Sequence, residues 1–313
     1  MAHDFDPGPV NEPFASLVQN YPGSDVYPSG SFRVEWGPLF HRGRLDGSAR
    51  LLVIGQDPAE SESVVRRILV GEAGHRTQGL MAKLGFDHSY LMINTFLYSM
   101  FGSTGATHAG DSGIVGYRNQ WLDAIFAGNQ IEAVLALGQL ASDSWDTWRQ
   151  TSNGKKHSPP FAHVTHPTQP ESASGGNAAT LKQLIKAMLA NWNQALEALH
   201  PQIGNPDTPG PLVPYGSSFK PGERVEIPEL DAGRSAGVDA VAQRLGRSRR
   251  QELGRQAAQH HDHGPKRRRV GARDQASAGR SSASRRASPS ARASSAGLAP
   301  AAAATAAAWT AAR

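Results

Sequence analysis

Three short stretches of this chain carry side chains that could do chemistry together. Gly55-Gln56-Asp57-Pro58-Ala59 offers a carboxylate, Ile93-Asn94-Thr95 an amide, and His166-Pro167-Thr168-Gln169-Pro170 an imidazole. A carboxylate can orient a water or stabilise an oxocarbenium-like cation. An amide presents a donor and an acceptor side by side, the pairing needed to read the edge of a base. An imidazole can give a hydrogen bond to charge growing on a leaving group. Each residue also has a plainer use: Asp57 as the cap of a following helix, Asn94 as a strand-end turn residue, His166 as a turn histidine satisfied by backbone.

Position separates the two readings. Each stretch follows an apolar run with the length of a buried strand: Leu51 to Ile54, Tyr90 to Asn94, and Phe161 to Thr165, with a further strand at Ile131 to Gly138. Between them lie helical patterns at Glu62 to Leu69, His75 to Leu84, Ile114 to Phe126, Gln139 to Trp148 and Ala178 to Leu199. Gly71 to Gly74 reads as a turn, and Gly102 to Gly113 as a loop long enough to be functional. Alternating strand, loop and helix predicts an α/β fold: a three-layer αβα arrangement around a central, mostly parallel sheet of about four strands. Right-handed crossovers then place every strand end on one edge, where open α/β sheets hold their ligands.

The rest of the chain divides by composition. Residues 1–30 form a Pro- and Gly-rich lead-in with a short helical pattern from Glu12 to Gln19, residues 31–200 the α/β domain, and residues 201–232 a Pro/Gly-rich strap. Residues 233–313 are Arg-, Ala- and Ser-rich, which predicts a disordered basic C-terminal tail. The overall charge of +5 conceals an asymmetry: residues 1–232 carry 16 Lys/Arg and 23 Asp/Glu, a net of −7, while residues 233–313 carry 16 and 4, a net of +12. Within the tail, Lys266-Arg267-Arg268-Arg269 reads as a phosphate-binding patch or an import word, and His260, His261 and His263 as solvated.

There is no cysteine, which excludes disulfides, thiolate zinc sites and Cys-ligated iron–sulfur clusters. No apolar run reaches the roughly 20 residues of a membrane span. The amino terminus has no signal-peptide pattern, so an intracellular, cytoplasmic protein is expected.

The three strand-end words, in this order, resemble those of the uracil-DNA glycosylase superfamily over roughly residues 35–200. Gln56-Asp57-Pro58 is similar to the water-activating motif of the classical uracil-specific family. Leu69-Val70-Gly71-Glu72-Ala73-Gly74, with Leu80 to Gly85 and Tyr90 to Asn94, looks more like the thermophile-type family, and His166-Pro167 resembles the superfamily's second motif. The resemblance implies a DNA glycosylase that hydrolyses the N-glycosidic bond of uracil by base flipping and water attack, with no metal or other cofactor. It implies Asp57 for water activation and His166 for charge at uracil O2, with Gln56, Asn94 and Leu69 around the base. Thr168 and Gln169, with Lys266, Arg267, Arg268 and Arg269 of the tail, would contact DNA. The partner is uracil-containing DNA, single- or double-stranded, and not a membrane; a monomer is expected, nucleoid-associated if the cell is bacterial.

This chain also departs from the pattern. Ala59 stands where the classical family has a bulky Tyr that excludes the methyl of thymine, which favours tolerance of 5-substituted uracils. Leu69 lies near the place of a base-stacking Phe, with Phe86 or Phe96 as substitutes. Pro170 replaces a wedging Leu and is followed by Glu171, a charge that should repel phosphate. A glycosylase for another deaminated or 5-substituted base, and a catalytically weak DNA-binding protein on the same fold, are the alternatives.

Overall fold

The structure is a computed structural model, and it describes residues 8–227, all within the first of the two units into which the chain divides. Its centre is a five-stranded sheet of β1 (Arg42–Gly43), β2 (Leu51–Gly55), β3 (Tyr90–Asn94), β4 (Ala133–Leu137) and β5 (Phe161–Val164), in the order β1-β3-β2-β4-β5. Four strands are parallel; β1 pairs antiparallel with β3 through Arg42↔Met92 and Gly43↔Leu91. The extra strand is two residues long, too short to leave a period in the sequence.

Strand alternation sends successive side chains into two apolar clusters. Leu51, Val53, Tyr90, Met92 and Leu135 join one cluster with α3 (Glu72–Lys83) and α7 (Ala178–Leu199). Leu52, Ile54, Leu91, Ile93 and Val134 join the other, with α1 (Phe14–Gln19), α4 (Ser112–Gly128) and α5 (Gln139–Arg149). Two further short α-helices lie among the described residues: α2 (Glu60–Val65) after β2 and α6 (Gln169–Ala173) after β5.

The glycine cluster at 71–74 is not a turn, as its composition suggested. Gly71 is the residue before α3, and the helix runs through Gly74. A Cβ on Gly74 would collide with the Leu69 carbonyl, so glycine here serves close packing of helix on backbone. Helix α2 ends earlier than its pattern, at a left-handed Arg66 (φ 63°) whose guanidinium bonds the Trp36 and Pro38 carbonyls at 2.8 and 2.6 Å.

The Pro/Gly-rich segment after α7 runs along α3 and α7. Tyr215 is buried against Trp192 and Phe219; its backbone N–H donates to Asn193 Oδ1 at 2.7 Å and its carbonyl accepts from Asn193 Nδ2 at 2.9 Å. Among the described residues no helix is long and apolar enough to cross a membrane. The basic segment, with Lys266, Arg267, Arg268, Arg269 and its histidines, lies outside the described residues.

Candidate functional site

Parallel pairing brings the three strand-end words to one rim. Gly55 is in register with Asn94, and hydrogen bonding continues beyond the strands: Thr95 N–H to the Gly55 carbonyl and Phe96 N–H to the Gln56 carbonyl, both 2.9 Å. β5 ends two strands away from β2, at a lateral spacing of about 10 Å, so His166 and Asp57 flank a gap about two strands wide.

Asp57 is half-buried and doubly held. Its Oδ2 accepts the Met100 N–H at 3.0 Å and its Oδ1 accepts the Gln56 side-chain amide at 3.2 Å. Burial raises its pKa above the ordinary carboxylate value, and these two hydrogen bonds only partly oppose the rise. A carboxylate made more basic and held at fixed angles is suited to orienting a water. Asp57 does not cap α2: Ala59 precedes that helix, and Glu62 accepts the Ala59 N–H at 2.5 Å, half of a capping box.

Glu62 went unnoticed in the sequence because a capping box is recognised by a Ser or Thr at its first position, and Ala59 has no side-chain acceptor. It is 5% exposed and also accepts the Leu69 N–H at 2.5 Å, tying the Asp57 loop to the backbone before α3. Burial raises its pKa, as does the nearby charge of Asp57, against the hydrogen bonds from Ala59 and Leu69. Leu69 is held there in left-handed backbone (φ 54°), which costs a non-glycine residue roughly 1 kcal/mol.

Asn94 continues the side-chain alternation of Tyr90 and Met92, and its Oδ1 occupies the space a Cβ on Gly55 would need. Gly55 therefore has to be glycine for Asn94 to sit at the rim. The Asn94 Nδ2 is buried without a hydrogen-bond partner. A buried donor left unpaired costs about 1–3 kcal/mol, which an arriving acceptor recovers.

His166 is half-buried, and burial lowers its pKa to about 4. Its Nδ1 accepts the Thr168 N–H at 3.4 Å and lies 3.3 Å from the Thr168 hydroxyl. At neutral pH the ring is thus uncharged with its proton on Nε2, a donor with no charge of its own to desolvate. Its backbone carbonyl accepts the Gln169 N–H at 3.0 Å, opening α6.

Arg76 of α3, another residue the sequence did not single out, anchors this loop. It is 3% exposed, donates to the Pro167 carbonyl at 2.6 Å, and bridges Glu171 at 2.7 Å and Glu72 at 2.7 Å. Glu171 is therefore neutralised by Arg76 and does not present a free charge to phosphate. Pro170 is buried at the start of α6 and offers no exposed wedge.

The stacking candidates are also placed differently. Leu69 is 4% exposed and packs in the α3/α7 cluster, while Phe86 and Phe96 are fully buried in opposite clusters. None presents an open ring or side chain at the rim, because each fills the core beneath it. Tyr98 is likewise core, its hydroxyl bonded to the Pro22 carbonyl at 2.8 Å. Phe101 is half-buried, next to the Met100 that holds Asp57, with the Arg33 guanidinium 4.2 Å above its ring and 4.5 Å from Trp36. Thr168 is half-buried and Gln169 exposed at the same rim.

One acidic and imidazole cluster among the described residues has metal-ligand spacing, Asp87, His88 and Asp207; Asp87 and His88 immediately precede β3 and Asp207 accepts their N–H groups, so it lies at the opposite end of the sheet. No protein-family model matches this chain, and no curated protein is significantly similar to it.

Proposed function

We propose that this chain is a DNA glycosylase that hydrolyses the N-glycosidic bond of uracil. The observation that carries the reading is the pairing of a desolvated, hydrogen-bonded Asp57 with a neutral His166 on the rim that also holds Asn94. The target nucleotide is flipped out, at a cost lowest in single-stranded or mismatched DNA. The Asn94 amide, with its unpaired Nδ2, meets the base edge and discriminates against cytosine, whose exocyclic amine reverses the donor pattern. As the bond loosens, Nε2–H of His166 meets charge on uracil O2 while Asp57 orients water toward the sugar carbon. The uracil leaves as an anion, water adds its hydroxyl to the sugar carbon to give an abasic site, and the proton that water sheds passes to the Asp57 carboxylate.

The two apolar clusters, divided by strand alternation, support a three-layer αβα domain. The partner is DNA, with the +12 tail adding salt-sensitive affinity that an acidic body lacks. The protein acts as an intracellular monomer.

Ala59 favours a second reading within the class. It is exposed and small, so a 5-substituted uracil would meet no ring there. A panel of single-stranded oligonucleotides carrying uracil, 5-methyl- and 5-hydroxymethyluracil, hypoxanthine or xanthine separates the two. Release of uracil at least tenfold faster than the others supports the first; preferential release of another base supports the second. Tight binding with no release of any base would leave a DNA-binding protein on this fold.

A further inference from the structure

Behind the end of β3 lies a small cavity of about 20 Å³. Ile93, Asn94 and Thr95 form one wall, and Tyr27, Arg118 of α4 and Trp121 form others. Arg118 is 4% exposed, and its Nε and Nη2 are buried without a hydrogen-bond partner. Among the described residues no carboxylate lines the cavity. Burial lowers the pKa of Arg118 to about 10, and the only group opposing that fall is Tyr27, a phenol.

Arg76 is as deeply buried but is bonded to Glu171, Glu72 and the Pro167 carbonyl. An uncompensated guanidinium in a protein interior is strongly destabilising, whereas one with a counter-charge is tolerated. The described residues supply Arg76 with that counter-charge, and none of them supplies it to Arg118.

The uncommitted groups around the cavity are donors. The Tyr27 oxygen accepts the Leu97 N–H at 3.4 Å, leaving its own proton free, while the Tyr117 hydroxyl is spent on the Leu17 carbonyl at 2.9 Å. A water there could accept from Arg118 but would leave its charge unbalanced. The volume suits one water-sized species and is too small for phosphate, sulfate or a carboxylate side chain.

We propose that Arg118, with the Tyr27 hydroxyl, holds a chloride-sized monovalent anion against the back of Asn94. The anion neutralises the buried guanidinium and fixes the wall that carries the rim amide. This site stands whether or not the chain releases a base.

The test is thermal unfolding of the full chain in sodium chloride and in sodium gluconate at matched ionic strength. An anion bound only by the folded state raises Tm with its concentration. The expected result is a saturable rise of several degrees in chloride over gluconate, absent in Arg118→Met. Identical curves in the two salts, or a chloride response that survives in Arg118→Met, would overturn the proposal. Should that variant fail to fold, crystals of the unaltered protein soaked in bromide give an independent reading. An anomalous peak beside Arg118 Nε and Nη2 is expected; bromide only at surface positions, an adventitious ion only, would overturn it equally.

Discussion

The two ends of the sheet are built on different terms. At the end where β3 begins, the buried carboxylate of Asp207 accepts the backbone N–H groups of Asp87, His88 and Ser89 at 3.0, 2.9 and 2.8 Å. Burial opposes its ionisation, but those bonds outweigh it and hold its pKa below the ordinary carboxylate value. At the end where the strands finish, burial wins instead: the pKa of Asp57 is raised, that of His166 is lowered to about 4, and Asn94 Nδ2 has no partner. Leu69 beside them is in strained backbone. The first end fastens the Pro/Gly-rich segment to the sheet. The second keeps polar groups underused, which costs stability and leaves them available to a ligand.

Breaking the support of the second end should have the largest effect. Arg76→Met leaves Glu171 without its bonded cation, Glu72 with Arg224 alone, and the Pro167 carbonyl without its donor. A loss of about 4 kcal/mol in denaturant unfolding is expected, with slower base release through a displaced His166. Rescue of rate but not of stability by Arg76→Lys would argue that charge, not the forked geometry, positions the loop.

Acid sharpens the same contrast. The folded pKa of His166 lies below its unfolded value of 6.5, so its contribution to stability is complete above pH 6.5 and is lost as pH falls toward 4. The loss is on the order of 3 kcal/mol, and His166→Gln should flatten unfolding free energy over that window. An unchanged slope would show that His166 is not held neutral by burial.

Asp207→Ala tests the opposite end. Three backbone donors lose their acceptor, and stability should fall by about 2 kcal/mol while base release stays within twofold of the parent. A large loss of activity would mean that the two ends are coupled. The smallest effect carries the opposite sign: because the folded pKa of Asp57 is raised, stability is lost as pH rises from the unfolded value of 3.8 through the folded one, and the full cost is present above it. Asp57→Asn should therefore give a slightly higher Tm at pH 7.

Much of the scaffold was legible in the sequence. The apolar runs at Leu51 to Ile54 and Tyr90 to Asn94 are strands because residues buried on both faces leave no polar alternation, and the punctuation at Gly55 and Asn94 marks where they stop. The rim positions of Asp57, Asn94 and His166 follow from that order alone. Arg76, Glu62 and Arg118 could not be read the same way. Their meaning lies in a partner 95 residues away in the case of Arg76 and Glu171, or in a partner that none of the described residues provides in the case of Arg118. That Phe86 and Phe96 fill the core could not be read for a related reason, since an aromatic residue after a turn or strand gives no sign of whether its ring faces core or ligand.

The central claim is that Asp57 and His166 act on a glycosidic bond, and single-turnover release of uracil from single-stranded DNA tests it most directly. The full chain should release the base, and Asp57→Asn should be slower by roughly a hundredfold or more while binding the same oligonucleotide with unchanged affinity. Equal rates for the two proteins, or no release by the parent chain under conditions where it binds, would contradict the account.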